Sequence, residues 1–198
     1  MSEDHTHVQE FFGARAADWD SKFPADEPAF TTAVTDFGLR PGDRVLDAGC
    51  GTGRALTALR AAVGPSGTVL GVDLTPQMLD AARRGGRAVA GVLLLADVTR
   101  LPLRDAALDA VFAAGLIAHL PDPAANLREL ARVVRPGGRL ALFHPIGRAA
   151  LAARHGRALT ADDLRAEHNL GPLLSGAGWD MTSYTDEDAR FLALAVRA

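Results

Sequence analysis

A chain of 198 residues with 48% hydrophobic and 23% charged side chains and a net charge of −3 has the composition of one globular domain, which excludes disorder, collagen and coiled coil. Its uncharged apolar runs, such as Ala88 to Ala96, fall short of the ~20 residues a membrane helix needs, and its start, Met1-Ser-Glu-Asp-His, is acidic where a secretory leader is basic; a cytoplasmic location is expected. The single cysteine, Cys50, permits no internal disulfide, the acidic balance argues against nucleic acid as a partner, and no residue spacing suggests a metal.

The first forty residues are expected to be helical. Val8, Phe11, Phe12, Arg15, Ala16 and Trp19 recur at intervals of three and four, predicting one helix with an aromatic end, and Phe30, Val34 and Phe37 predict a second that stops at Gly38. From Arg44 the period changes. Val45-Leu46, Thr68 to Val72, Val92 to Leu95, Leu108 to Phe112 and Arg139 to Phe143 are short apolar strands, separated by a helix over Ala55 to Val63, one starting at Thr75-Pro76, and one starting at Asp122-Pro123 and ending at Pro136-Gly-Gly138. Thr160 to Gly178 reads as helix, interrupted near Gly171-Pro172. Trp179 to Tyr184 and Phe191 to Val196 read as a terminal hairpin. Continuous apolar strands alternating with helices predict an α/β fold with a doubly wound, mostly parallel seven-stranded sheet and a C-terminal antiparallel hairpin. Residues 1–40 are expected to form an N-terminal helical lid on a domain spanning 41–198.

Ligands of such sheets bind at the carboxyl ends of the strands. The first of these ends reads Asp47-Ala-Gly49-Cys-Gly51-Thr-Gly53-Arg54, where glycines at alternate positions let the backbone turn and approach a ligand closely. A dinucleotide fingerprint, G-x-G-x-x-G, would need glycine at Arg54, and Asp47 would repel a pyrophosphate; a nicotinamide-dependent oxidoreductase is the weaker alternative. Asp73 follows the second strand, placed for the vicinal hydroxyls of a ribose, and Asp97 follows the third. Three carboxylates on one rim suit a ligand with positive charge and hydroxyls. Cys50 lies inside the loop without a neighbouring base and reads as a packed thiol.

These motifs resemble those of class I S-adenosylmethionine-dependent methyltransferases, in the small-molecule branch that includes ubiquinone- and menaquinone-biosynthesis-like enzymes. The resemblance rests on Asp47 to Gly53, Gly71-Val-Asp73-Leu-Thr-Pro-Gln-Met78, Ala96-Asp97-Val98 with Leu101-Pro-Leu103, Leu108 to Ala113, His119-Leu-Pro-Asp-Pro, and Leu130 to Gly138. It implies S-adenosyl-L-methionine as cofactor. Asp47, Gly49, Gly51 and Gly53 would then hold its amino-acid portion, Asp73 its ribose, and Leu74 and Met78 its adenine ring. Asp97 would receive the exocyclic amine, Val98 would offer a backbone N–H, and Ala113 and Trp19 would complete the cofactor contacts.

The expected reaction is in-line displacement of the methyl group by an O, N or C atom of a small molecule, aligned by the protein and shielded from water. A histidine near neutrality could take a proton from the acceptor; His144, at the end of the fifth strand, is the first candidate and His119 the second. Strand four lacks the Asp/Asn-Pro-Pro-Tyr sequence used by enzymes that methylate base amines. Arg148, Arg154 and Arg157 fall on a short segment where a substrate cap is expected; they would favour an acidic or phenolate-like substrate, and a solvated helix face is the preferred reading of them. A noncatalytic cofactor-binding protein on the same fold is the second alternative.

Overall fold

The computed structural model describes residues 3–22 and 26–198; residues 1, 2 and 23–25 of the expected lid lie outside these. Its seven strands are β1 (Arg44–Ala48), β2 (Thr68–Asp73), β3 (Val92–Leu95), β4 (Leu108–Ala114), β5 (Val134–His144), β6 (Trp179–Glu187) and β7 (Arg190–Arg197). They form one sheet in the order β3-β2-β1-β4-β5-β7-β6. Strands β1 to β5 are parallel, and β7 runs antiparallel to both β5 and β6. The chain winds outward from β1 to β3 and then crosses back to β4. The order therefore reverses between β1 and β4, and the crevice at their carboxyl ends is where open α/β sheets bind ligands.

Both faces of the sheet are covered, which is why its central strands are apolar throughout. One face carries α3 (Glu27–Phe37) and α4 (Leu56–Val63), packed through Phe30, Val34, Leu56 and Leu59 onto Val45, Phe112 and Phe143. The other carries α6 (Pro123–Val133) and α8 (Glu167–Ser175), whose Leu127, Leu130, Leu170 and Leu174 join Leu46, Val111 and Trp179. Trp179 is fully buried, and its indole N–H donates to the Leu127 carbonyl at 2.9 Å. α5 (Pro76–Arg84) buries Met78, Leu79 and Ala82. Gly38, at φ +68°, ends α3 in the left-handed conformation that glycine adopts without strain.

Three elements depart from the expected boundaries. The N-terminal helix breaks at Gly13: α1 (Glu3–Gly13) is followed by a 3-10 turn at Ala16–Asp18 and a single α turn, α2 (Trp19–Lys22). Phe11 leaves the apolar face for solvent, 40% exposed, with the Arg15 guanidinium 3.8 Å above its ring.

β5 begins at Val134 rather than Arg139. The Pro-Gly-Gly segment is absorbed as a bulge, since Leu108 of β4 pairs with Val134 and Ala110 with Arg139, and Asp109 between them accepts from Arg135 at 2.7 Å. The helix expected over Thr160 to Gly178 shrinks to α8, which runs unbroken through Gly171 and Pro172. Pro172 removes one backbone bond there, and complete burial of Leu170 and Leu174 offsets the loss.

Candidate active site

At the carboxyl end of β1 the chain turns through Gly49, Gly51 and Gly53, with φ of +68°, +54° and +80°. Their surroundings differ. A β-carbon at Gly53 would lie 2.8 Å from Leu56 Cδ1, and at Gly49 3.0 Å from Leu116 Cδ1, whereas at Gly51 it would meet nothing within 4 Å. Gly49 and Gly53 are thus small to let protein pack, and Gly51 borders open space on the rim.

Asp47 lies at the base of this loop, 1% exposed, with Oδ2 lacking any hydrogen-bond partner among the described residues. Burial, and then the neighbouring Asp73 charge, push its pKa up to about 8. An unpartnered buried carboxylate is costly unless a cation or donor meets it. Asp73 is better provided: Oδ1 accepts from the Thr75 N–H and Oδ2 from the Gly51 N–H, each at 2.8 Å. Burial raises its pKa, and these bonds act against the rise. Asp73 therefore ties β2 to the glycine loop as well as facing the rim. The Thr75 side chain makes no cap bond to α5 and lies near enough to Asp73 to help lower that carboxyl's pKa.

The third carboxylate, Asp97, turns the chain after β3 by accepting from the Thr99 N–H at 2.8 Å. α6 fixes the segment that follows. Glu129 accepts from the Leu101 N–H at 2.7 Å, and Arg132 donates to the carbonyls of Leu103 and Leu101 at 2.8 and 3.1 Å. Leu74 and Val98 are half-buried on the rim. Met78 is 2% exposed and packed with α5. Ala113 is likewise 2% exposed, its methyl group in the core beneath the sheet. Cys50 is buried, and burial, with the charges of Asp47 and Asp73, raises its thiol pKa well above the ordinary range, consistent with a packed thiol.

The N-terminal segment meets this rim through contacts that sequence spacing does not reveal. Gln9 donates to the Leu74 carbonyl at 2.8 Å. Asp20 accepts from the Thr52 hydroxyl at 2.7 Å and pairs with Arg87, which also donates to the Thr52 carbonyl at 2.9 Å. Asp26 pairs with Arg54 at 3.2 Å. Trp19 is half-buried, its ring 5.6 Å from that of Phe12, which stands edge-on to His119 at 5.0 Å.

His144 ends β5 and His119 closes a 3-10 turn (Ile117–His119) that follows the neighbouring β4, near enough for the His119 charge to act on His144. His144 is half-buried, with Nδ1 against the Ile146 backbone, 2.8 Å from its carbonyl and 3.1 Å from its N–H. Nε2 makes no hydrogen bond among the described residues. Desolvation holds the His144 pKa below its usual value, the Ile146 bond opposes this, and the Arg165 charge adds to the lowering. His119 is lowered by desolvation and then by Arg165. Both rings are consequently neutral near pH 7, and neutral imidazole is the form that accepts a proton.

Arg165, which the sequence pattern did not single out, belongs to a network on the acceptor side. Arg148, expected on a solvated face, has an 11% exposed side chain paired with Asp163 at 3.0 Å and Asp186 at 3.1 Å. It is a structural cation. Arg165 has its own N–H on Asp163 at 2.9 Å and its carbonyl on the Tyr184 hydroxyl at 2.8 Å, while its guanidinium touches Asp163 at only 3.4 Å.

Comparison with known proteins agrees with this geometry. Residues 46–142 match the family described as Methyltransferase domain. The chain is 39% identical over 133 residues to 27-O-demethylrifamycin SV methyltransferase of Amycolatopsis mediterranei, covering 63% of this chain and 48% of that one. It is 38% identical over 106 residues to demethylmenaquinone methyltransferase of Staphylococcus aureus, covering 53% and 44%; the match thus spans less than half the length of either relative. In structure it is similar to a SAM-dependent methyltransferase from Aquifex aeolicus, with TM-score 0.76, 24% identity and coverage of 94% and 98%. It is also similar to magnesium protoporphyrin IX methyltransferase from Synechocystis PCC 6803 with bound SAH, with TM-score 0.71, 19% identity and coverage of 99% and 100%. The family match runs from β1 to β5 and takes in the glycine loop and its carboxylates: residues 46–142 of this chain form a methyltransferase domain.

Proposed function

We propose that this chain moves the methyl group of S-adenosylmethionine to an O, N or C atom of a small molecule, with His144 as the group that takes the acceptor's proton. The observation that carries the reading is the buried, partnerless Oδ2 of Asp47 beside a glycine with open space in front of it. A cationic ligand that reaches into the loop would supply the missing partner.

The residues fit the cofactor in kind. Asp47 would face its ammonium group, the backbone of Gly49, Gly51 and Gly53 its amino-acid portion, and Asp73 its ribose hydroxyls through lone pairs left after the Gly51 and Thr75 bonds. Asp97 and Val98 would meet the adenine edge, with Leu74 and Met78 beside the ring. When bound, the cofactor supplies an electrophilic methyl group on a sulfonium. The chain's own part is alignment, exclusion of water by residues 1–40 acting as a lid with Trp19 at its inner end, and proton removal at His144 Nε2. His119, more exposed and edge-on to Phe12, would position rather than react. Domain limits of 1–40 and 41–198 follow from this division of labour.

Calorimetric titration with S-adenosylhomocysteine, alongside release of S-adenosylhomocysteine from S-adenosylmethionine over a panel of phenols, carboxylic acids and amines, tests the reading. Tight binding lost in Asp47→Asn and turnover with at least one acceptor are expected. Absence of binding by the wild-type protein would overturn it, and binding without turnover would favour a noncatalytic role.

A further inference from the structure

Beyond the histidines the chain between α7 (Arg148–Arg154) and α8 encloses a cleft of about 300 Å³. Leu151 and Leu159 give it an apolar wall, and His155, Arg157, Asp163 and Arg165 its polar side. Asp163, the carboxylate among these, is already committed to Arg148 at 3.0 Å and to the Arg165 N–H at 2.9 Å. The Arg157 side chain makes no hydrogen bond or ion pair among the described residues. Arg165 is anchored at its backbone by Asp163 and Tyr184, yet its guanidinium meets Asp163 only at 3.4 and 3.5 Å. Two guanidiniums with spare donors thus stand beside an apolar wall. Their planar forks match a carboxylate or phenolate.

Arg165 also lies close enough to His119 and His144 for its charge to act on both, so an anion held there is presented to the rim where methyl transfer would occur. A β-carbon at Gly147, just before α7, would fall 1.8 Å from the Glu187 carbonyl oxygen, so α7 starts in direct contact with the end of β6.

Building on the methyltransferase reading, we infer that the cleft holds the methyl acceptor by an anionic group, with Arg157 and Arg165 clamping a carboxylate or phenolate whose apolar body rests on Leu151 and Leu159.

The test uses 2-naphthoate and its neutral isostere 2-naphthamide, titrated into the protein with and without S-adenosylhomocysteine, with affinity read by calorimetry and contact by the Nε–H resonances of Arg157 and Arg165. Charge-assisted bonds predict about 10- to 100-fold tighter binding of the acid. Arg165→Gln and the exposed Arg157→Gln should each cut that preference by about tenfold, with Arg157→Lys retaining part of it. Equal binding of acid and amide, failure of the wild type to bind the acid, or a preference that survives both glutamine variants would overturn the inference. S-adenosylhomocysteine affinity, measured on the same samples, separates failure of this inference from failure of the cofactor reading. It should be unchanged in all three variants.

Discussion

Asp20 accepts a hydrogen bond from the Thr52 hydroxyl at 2.7 Å across 32 residues of sequence, so the N-terminal segment is fastened to the glycine loop. The same carboxylate pairs with Arg87, which reaches back to the Thr52 carbonyl, making Asp20 the hub of a clasp. Side-chain exposures of 41% for Asp20 and 23% for Arg87 leave the clasp weak enough to open, since exposed pairs contribute about 0–1 kcal/mol. Amide exchange across residues 8–20 should slow when S-adenosylhomocysteine is added, as a low-stability element gains protection when ligand selects its closed form. Asp20→Ala should speed that exchange in the free protein and shift Tm by less than about 4 °C. Protection that is equal with and without ligand would make the segment scaffold.

A stability dependence on pH follows from Asp47. Its folded-state pKa, about 8 against an ordinary 3.8, means that the folded protein holds a proton which the unfolded chain releases. The stability that the protonated group confers is complete below about pH 4 and is lost as pH rises through about 8. Asp47→Asn removes this dependence and should raise Tm at pH 8 relative to wild type, while abolishing S-adenosylhomocysteine binding. A variant that loses stability at pH 8 would show that Asp47 is ionised and satisfied in the free protein.

The loop glycines should separate by phenotype. Gly51→Ala places a methyl group in open space at φ +54°, with a backbone cost of about 1–3 kcal/mol, and should weaken cofactor binding more than tenfold. Gly53→Ala meets Leu56 at 2.8 Å and Ala82 at 3.4 Å as well as φ +80°, so thermal melting should report its damage first. Binding titrations on whatever fraction stays folded complete the comparison, and the reverse ranking would mean that Gly53 faces the ligand.

The two histidines are separable kinetically. With the His144 pKa held below 6.5 by burial, its neutral form persists to lower pH than a free imidazole, and kcat should fall only on the acid side, below about pH 6.5. His144→Gln should reduce kcat about 10²- to 10⁴-fold and abolish that limb, the usual contribution of a general base. His119→Gln should change KM more than kcat. An acid limb that survives in His144→Gln would assign proton removal elsewhere.

The strand ends of this site are legible because hydrophobic runs and punctuating glycines are local signals; Asp47, Asp73 and Asp97 could be placed on one rim from sequence alone. What pairs with them was not. That Asp73 would spend bonds on Gly51, 22 residues earlier, or that Arg87 would clasp Asp20 from 67 residues away, leaves no periodic trace in the chain. Arg148 and Arg165 look alike in a sequence dense in arginine, and only the fold separates them, burying one between two carboxylates and leaving the other loosely held. The shortened α8 and early β5 misled for a related reason: Pro172 and Pro136-Gly-Gly138 carry strong local breaking signals that packing and a bulge overrode.

Strand β7 lies between β5 and β6, so an element made late in synthesis occupies an interior seat in the sheet. As the nascent chain leaves the ribosome, β5 is complete at His144 while its outer edge still waits for Arg190–Arg197. Phe191 is the residue that will face His144 in register, and Leu192 will face Phe143. Until then the apolar edge of β5 is open to any strand that passes, which places the hazard of mispairing in the interval between those two segments. The proton acceptor of the proposed reaction takes its final place only when translation has passed Phe191, so a message cut short within the hairpin would yield a chain with the glycine loop and its carboxylates but no fixed seat for His144.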